Sequence, residues 1–267
     1  MGVLGAGMAL TLAVLAAILV FLLEKGLPAL SFRFLFTLPR DSGAAGGILP
    51  TIVGSILLPL LSLTVAVPLG VGTAVYLSEY TRESRVTRVL RFGTDCLAGI
   101  PSIIFGLFGL IFFVIILGMG WSLLAGGLTV AIMILPTIIR TSEEAIRAVP
   151  QSYREVSVSL GATRWETVHK VVLPNALPGI LTGVMLSIGR AIGETAAVYL
   201  TAGMSLRMPQ SVMEPVRTMS VHFYTLAREG ISTENAYGTA AFLVLSILAI
   251  NMAAYGLMHR FMARLHR

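Results

Sequence analysis

Six apolar runs separated by polar stretches of unequal length set the pattern of this chain, at residues 3–23, 48–78, 97–117, 123–139, 176–202 and 240–258. At a helical rise of about 1.5 Å per residue, roughly twenty residues cross a hydrocarbon core of about 30 Å. The pattern therefore predicts an all-α integral membrane protein with six transmembrane helices, forming one transmembrane domain over residues 1–267. The first run lacks a basic lead and is too long for a typical signal peptide, so it reads as a retained span. The second contains Pro50, Pro59 and Pro68 and exceeds one straight crossing, so it should tilt, kink or project beyond the bilayer. Pro101 lies near the start of the third run, Gly118-Met119-Gly120-Trp121 separates it from the fourth, and Pro178 falls in the expected first turn of the fifth.

The longest informative polar stretch is 140–174, which reads as two short helices joined at a glycine. Ser152-Tyr153-Arg154-Glu155 fits a capping box, and Val149, Tyr153, Val156 and Leu160 follow at helical spacing. Gly161 is a natural left-handed stop. Thr163-Arg164-Trp165-Glu166 fits a second capping box, opening a helix expected to run out at Leu173-Pro174. A hairpin wedged between spans suggests a docking surface. The stretch 79–92 carries Arg82, Arg85, Arg88 and Arg91 around Val86, Val89 and Leu90, as a membrane-edge anchor or a contact for a cytoplasmic partner. Residues 24–47 form a polar, glycine-bearing loop. Residues 203–237 form an external loop with a possible amphipathic helix carrying Met213, Val216, Met219 and Phe223.

Composition agrees with the membrane reading. Only 12% of residues are charged and 56% are hydrophobic, against about 25% charged in soluble domains, and the mean hydropathy is +0.87. The single cysteine, Cys96, excludes a disulfide framework and a Cys-based metal site. The net charge of +6 has the pattern of membrane orientation rather than of nucleic-acid binding. Loops on the side of the termini (79–92, 140–174 and the tail) carry 12 Lys and Arg, the opposite loops 6, and Arg190 is the remaining one of 19. The positive-inside rule then puts both termini and the hairpin in the cytoplasm.

One charge pair lies at membrane depth. Arg190 and Glu194 are spaced i, i+4 in the fifth run and would share a face with Gly183, Ser187, Ala197 and Thr201. A charge at a helix centre costs about 2.5–3.5 kcal/mol on insertion scales, so both should face protein or a water-filled path. Two readings stay open: Arg190 attracts an anion while Glu194 orients it, or the two form a neutralised pair that fixes packing. Arg140, ending the fourth run, is a further candidate for the path or a positive-inside anchor. Asp95 reads as a charge at the N-terminus of the third span. No Gly-x-x-x-x-Gly-Lys-Ser/Thr loop, His-Glu-x-x-His or Gly-x-Ser-x-Gly occurs, so the chain shows no enzyme motif and does not bind ATP as a P-loop protein. His169, His222, His259 and His266 lie in polar loops or the tail and make no membrane-embedded cluster.

The hairpin resembles the EAA loop of ABC-importer permeases: Glu155-Val156-Ser157, three residues, Gly161, nine residues, then Val171-Val172-Leu173-Pro174. Gly46-Gly47-Ile48-Leu49-Pro50, Tyr76-Leu77-Ser78-Glu79-Tyr80, Pro101-Ser102-Ile103-Ile104-Phe105-Gly106-Leu107-Phe108-Gly109 and Arg190-Ala191-Ile192-Gly193-Glu194-Thr195-Ala196 look like the phosphate-importer permeases. Ser122-Leu123-Leu124-Ala125-Gly126-Gly127 and Arg140-Thr141-Ser142-Glu143-Glu144-Ala145 lean toward their PstA-type subunit. Sulfate and molybdate permeases have a similar intramembrane segment, usually with Phe-Gly after the glutamate, where this chain has Thr195-Ala196.

The resemblance implies a type I ABC-importer permease in a bacterial or archaeal plasma membrane. It implies pairing with a homologous PstC-type permease, two PstB-type ATPase subunits that bind the ATP, and an extracytoplasmic PstS-type phosphate-binding protein. This chain would hold no cofactor of its own. Glu155, Ser157, Gly161, Ala162, Leu173 and Pro174 would couple to the ATPase, and Arg190, Glu194 and Arg140 would belong to the phosphate path. The alternatives are a permease for sulfate, molybdate or tungstate, a stand-alone carrier, and a membrane-embedded enzyme.

Overall fold

The structure, a computed structural model, describes residues 2–82 and 84–265. Helix α1 (Gly2–Gly26) leads into α2 (Phe32–Phe36), which Ser31 caps by accepting the Phe34 amide. A two-residue antiparallel pair, β1 (Pro39–Arg40) and β2 (Ala45–Gly46), folds the rest of that loop with Pro39 opposite Gly46. Next, α3 (Leu49–Val75) continues into a π-helical turn at Tyr76–Tyr80. It spans 32 residues in all, about 48 Å at the helical rise, and so projects beyond one crossing as its length requires.

Helix α4 (Arg85–Ala98) and α5 (Ser102–Gly109), the latter prolonged by a π-helical stretch at Leu110–Ile116, meet at a bend of 100°. The expected third span, 97–117, is corrected accordingly. Leu97 and Ala98 end α4, and the chain turns into α5 only after Pro101, whose ψ of 140° and missing N–H interrupt the helix. Asp95 therefore lies near the end of α4, not at the start of a span.

Two left-handed glycines, Gly118 and Gly120, turn the chain into α6 (Leu123–Ala148), which Ser122 caps. The expected end of this span at residue 139 is also corrected: buried Ser142 and Ile146 keep the helix packed until Pro150 approaches. After the short helices α7 (Gln151–Ser159) and α8 (Arg164–Thr167), a π-helical turn at Val168–Val172 leads directly into α9 (Leu173–Gly193). One continuous helix of 30 residues thus runs from Arg164 to Gly193. The second hairpin helix does not stop at Leu173-Pro174, and Pro178 sits well inside the helix. A widened turn is one way a helix accommodates a residue that cannot donate its backbone hydrogen bond, and here it immediately precedes Pro174.

The fifth run divides. The backbone is extended at Glu194 and resumes as α10 (Ala196–Thr201). In the loop 203–237, α11 (Met219–Arg228) carries Met219 and Phe223, whereas Met213 and Val216 precede it. Finally α12 (Thr233–Leu265) starts seven residues earlier than its apolar run. Among the described residues five helices are long and apolar enough to cross a membrane, and the bent α4–α5 pair makes the sixth.

At the centre, α6 packs against α3, α9 and α10 around Leu58, Val130, Met133, Ile134, Ile138 and Val198. Lipid is as apolar as leucine, so close approach rather than water exclusion holds such helices together. Gly183 on α9 shows this: a Cβ there would overlap the Thr141 hydroxyl of α6. Helix α1 touches α12 but leaves most of its apolar side chains exposed. Within the 203–237 loop, buried His222 accepts a hydrogen bond at Nδ1 from the Arg217 guanidinium at 3.3 Å, while the Ser55 hydroxyl accepts the Met219 amide at 2.7 Å and ties α11 to α3.

Candidate functional site

Two regions carry the residues singled out from the sequence: the end of α9, and the α7–α8 hairpin. On α9, Ser187 and Ala191 are buried, whereas Leu186 and Gly193 are exposed and neither Gly189 nor Gly193 meets a neighbour in the space of a missing Cβ. Arg190 stands at the boundary of these faces, half-buried, with no hydrogen-bond or ion-pair partner among the described residues. A guanidinium so placed presents up to five donors to whatever faces it.

The structure does not bring Glu194 to Arg190. Once the backbone extends at Glu194, the i, i+4 relation is lost, and the carboxylate instead accepts the Ala197 amide at 3.0 Å, capping α10. Its carbonyl accepts the Ser220 hydroxyl at 2.7 Å. The expected continuous stripe is thereby split, with Gly183 and Ser187 buried on α9 and Ala197 and Thr201 buried on α10.

Arg140 lies elsewhere. Thr141, its neighbour on α6, faces Gly183, and Arg190 is seven residues beyond Gly183, about 10 Å along the helix. Arg140 is also occupied by two carboxylates, Asp95 Oδ1 at 3.3 Å and Glu144 Oε1 at 3.2 Å. Beside it, Glu143 accepts from both Arg91 at 2.7 Å and Arg147 at 2.9 Å, joining α4 to the projecting end of α6.

In the hairpin, one of the two anticipated capping boxes forms. Thr163 accepts the Glu166 amide, and Glu166 accepts the Thr163 amide at 3.0 Å. Ser152 makes no cap, because Pro150 already occupies that position and α7 begins at Gln151. Gly161 has φ +84° and closes a Schellman motif: its N–H donates to Val158 O at 2.9 Å, and that of Ala162 to Ser157 O at 3.2 Å. The buried Ser157 hydroxyl shares a hydrogen with Thr167 Oγ1 at 2.9 Å, pinning α7 to α8. Glu155 is exposed. Leu173 joins the cluster of Ala74, Ile146, Val149, Val172 and Ala176, and Pro174 lines an apolar groove with Pro68, Val71 and Leu177. The six residues expected in the hairpin therefore divide into an exposed acid, an internal turn and a packed stem.

Around that turn, Tyr153, Val156, Val158, Leu160 and Trp165 are exposed, Leu160 by 84%. The helical spacing of Val149, Tyr153, Val156 and Leu160 announced this apolar face, except that Val149 precedes α7 and is buried in the stem cluster. Two contacts were not announced. Arg154 forms an ion pair with Glu79 at 2.7 Å, and Arg164 lies 5.4 Å from the centroid of the Tyr80 ring. The charged Arg154, next to the exposed apolar face of Tyr153, Val156 and Val158, was the available signal.

Comparison with known proteins assigns this arrangement. Residues 66–267 match the family described as binding-protein-dependent transport system inner membrane component. The probable ABC transporter permease protein YqgI of Bacillus subtilis is 34% identical, covering 95% of this chain and 92% of that protein. The phosphate transport system permease protein PstA of Pasteurella multocida is 35% identical over 89% and 85% respectively, and PstA 1 of Mycobacterium tuberculosis (strain CDC 1551 / Oshkosh) 37% over 84% and 73%. Among solved structures, a chain of the bacterial alginate ABC transporter in complex with its pentasaccharide-bound periplasmic protein superposes with a TM-score of 0.71 at 18% identity, covering 97% of this chain and 93% of that one. A chain of the inward-facing MetNI methionine ABC transporter does so at 0.64 and 21%, covering 80% and 94%. The fold is that of type I ABC-importer permeases, and the chain belongs to the family of inner-membrane components of binding-protein-dependent transport systems, as an ABC permease of PstA type.

Proposed function

We propose that this chain forms half of the translocation path of an ATP-driven importer of inorganic phosphate. As a family member it is a multi-pass permease working with an ATPase and a periplasmic binding protein; its specific partners on this reading are a PstC-type permease, two PstB-type ATPase subunits and a PstS-type phosphate-binding protein. The observation that carries the proposal is Arg190, a half-buried cation without a polar partner among the described residues, on a helix that runs unbroken from the hairpin. The hairpin would lie in the cytoplasm together with both termini, and its apolar face would seat in the ATPase.

ATP binding would draw two such hairpins together, and the continuous Arg164–Gly193 helix would carry the movement to the arginine. Arg190 would attract phosphate electrostatically and hold it by charge-assisted hydrogen bonds. Glu194 would act on the path by capping α10 and so shaping the break beside Arg190. Arg140, with its two carboxylate partners, would stand at the cytoplasmic margin rather than in the same anion site.

The test is ATP-dependent uptake of labelled phosphate by proteoliposomes holding the complete complex. Arg190→Gln should lower uptake about 10–100-fold, the equivalent of losing one charge-assisted contact, with subunit assembly intact. Normal transport by that variant removes Arg190 from the path. Sulfate, molybdate and tungstate should compete poorly; their preferential uptake would transfer the reading to another oxyanion. Robust phosphate uptake by this chain without an ATPase would overturn the coupled mechanism.

A further inference from the structure

Helix α7 is held to the rest of the molecule in an unusual way. Ser157 is its one buried residue among those described, and its apolar side chains face outward. Apolar packing therefore does little to anchor it, and polar contacts must serve instead. Ser157–Thr167 ties α7 to α8. The other tie is Arg154, whose guanidinium reaches two separate pieces of structure, the end of α6 and the end of α3. It donates to Val149 O at 2.7 Å, to Ile146 O at 2.9 Å, and to Glu79 Oε1 at 2.7 Å.

Those acceptors lie in strategic places. Ile146 and Val149 close the end of α6, while Glu79 sits in the π-helical turn that ends α3. Glu79 and Arg154 side chains are only 10% and 16% exposed, so the pair is screened less than a surface salt bridge. The next residue in the turn, Tyr80, lies under Arg164 at the start of the second hairpin helix. Two adjacent side chains at the tip of α3 thus grip both arms of the hairpin. At its other end, α3 is tied through Ser55 to the amide of Met219 at the start of α11.

We propose that Glu79 and Arg154 are positioning residues for coupling, forming a strut that transmits displacement of the hairpin to α3 and through it to the outer side of the path. The proposal rests on the ATP-coupled reading above. Besides the link to the end of α6, force applied to the apolar face of α7 has two exits. One runs through Ser157 and the hairpin turn into the Arg164–Gly193 helix; the other runs through Arg154 into α3. Without the strut, α9 would still be driven while α3 lagged, and hydrolysis would proceed with less transport. A charged pair suits this role because its forked geometry resists sliding, which an apolar contact of equal area does not.

The experiment measures phosphate uptake and ATP hydrolysis together in proteoliposomes of the complete complex. The variants are Glu79→Ala, Arg154→Ala, the double variant, and Glu79→Gln, which keeps one acceptor and the side-chain shape. Each alanine variant should reduce phosphate transported per ATP by about tenfold, and the double variant should be no worse than the more damaging single, as residues acting as one unit are non-additive. Glu79→Gln should lie between wild type and Glu79→Ala, with the ATPase still co-purifying. Unchanged transport per ATP in the alanine variants, or multiplied losses in the double, overturns the strut. Failure of Glu79→Gln to assemble with the ATPase also overturns it, making the pair a folding element. A wild-type complex that shows no ATP-dependent uptake defeats the underlying reading instead, so the two failures are distinguishable.

Discussion

Gly161 offers a clean measure of what the hairpin turn contributes to coupling. Its φ of +84° lies in the left-handed region, and no described residue beyond its chain neighbours comes within 4 Å of where a Cβ would be. Substitution by alanine therefore meets no steric obstacle, and its cost is confined to the backbone, about 1–2 kcal/mol. That amount lowers the population of the Schellman-closed hairpin by a factor of about 5–30. Asparagine tolerates the left-handed region and should recover most of the loss, whereas β-branched valine should be worse than alanine. The assay is the affinity of the ATPase for the reconstituted permease, read beside ATP-dependent uptake. Affinity should fall in the order glycine, asparagine, alanine, valine, by the factor above for alanine. Equal affinities for glycine and alanine would show that the left-handed turn is not what presents the docking face. Equal damage from asparagine and alanine would mean that open space, not backbone geometry, is required at this position, and the reasoning would fail there too.

Other consequences can be checked on the purified permease. Gly183→Ala places a methyl group into the Thr141 hydroxyl and should destabilise the α6–α9 contact by about 1–3 kcal/mol, the usual range for overpacking; Thr141→Ala in the same chain should restore much of the melting temperature, and no rescue would mean the helices separate rather than clash. Burial, followed by the neighbouring Arg217 guanidinium, holds His222 down to about 4 from its ordinary 6.5. The neutral ring is the form the fold accommodates, so stability is complete above about pH 6.5 and is lost as pH falls toward 4, by at most about 3 kcal/mol. Thermal unfolding from pH 4.5 to 7 should show this slope, and His222→Asn should flatten it; an unchanged slope would assign the acid sensitivity to another group. Arg190→Gln and the Glu79–Arg154 set complete the tests.

Periodicity and length alone determined the membrane class, the six apolar runs and the existence of a two-arm hairpin, because a bilayer imposes a minimum apolar length and obliges the backbone to close its own hydrogen bonds. Local chemistry likewise disclosed the Thr163–Glu166 cap and the left-handed Gly161, both set by contacts within a few residues. Element ends were less legible. Arg140 to Ala148 is polar enough to read as loop, yet it stays helical because Ser142 and Ile146 are buried against neighbouring helices. Pro174 suggests a stop, yet the π-helical turn before it carries the helix through. What only the tertiary structure decided is partnership among charges. Spacing offered Glu194 to Arg190, but an extended backbone at one residue turns that carboxylate to the Ala197 amide and leaves the arginine without a polar partner among the described residues. Glu79 and Arg154 stand 75 positions apart and meet only because α3 and α6 end at the same level. Nothing in a linear pattern encodes that meeting, since it depends on how far two packed helices project before each one stops.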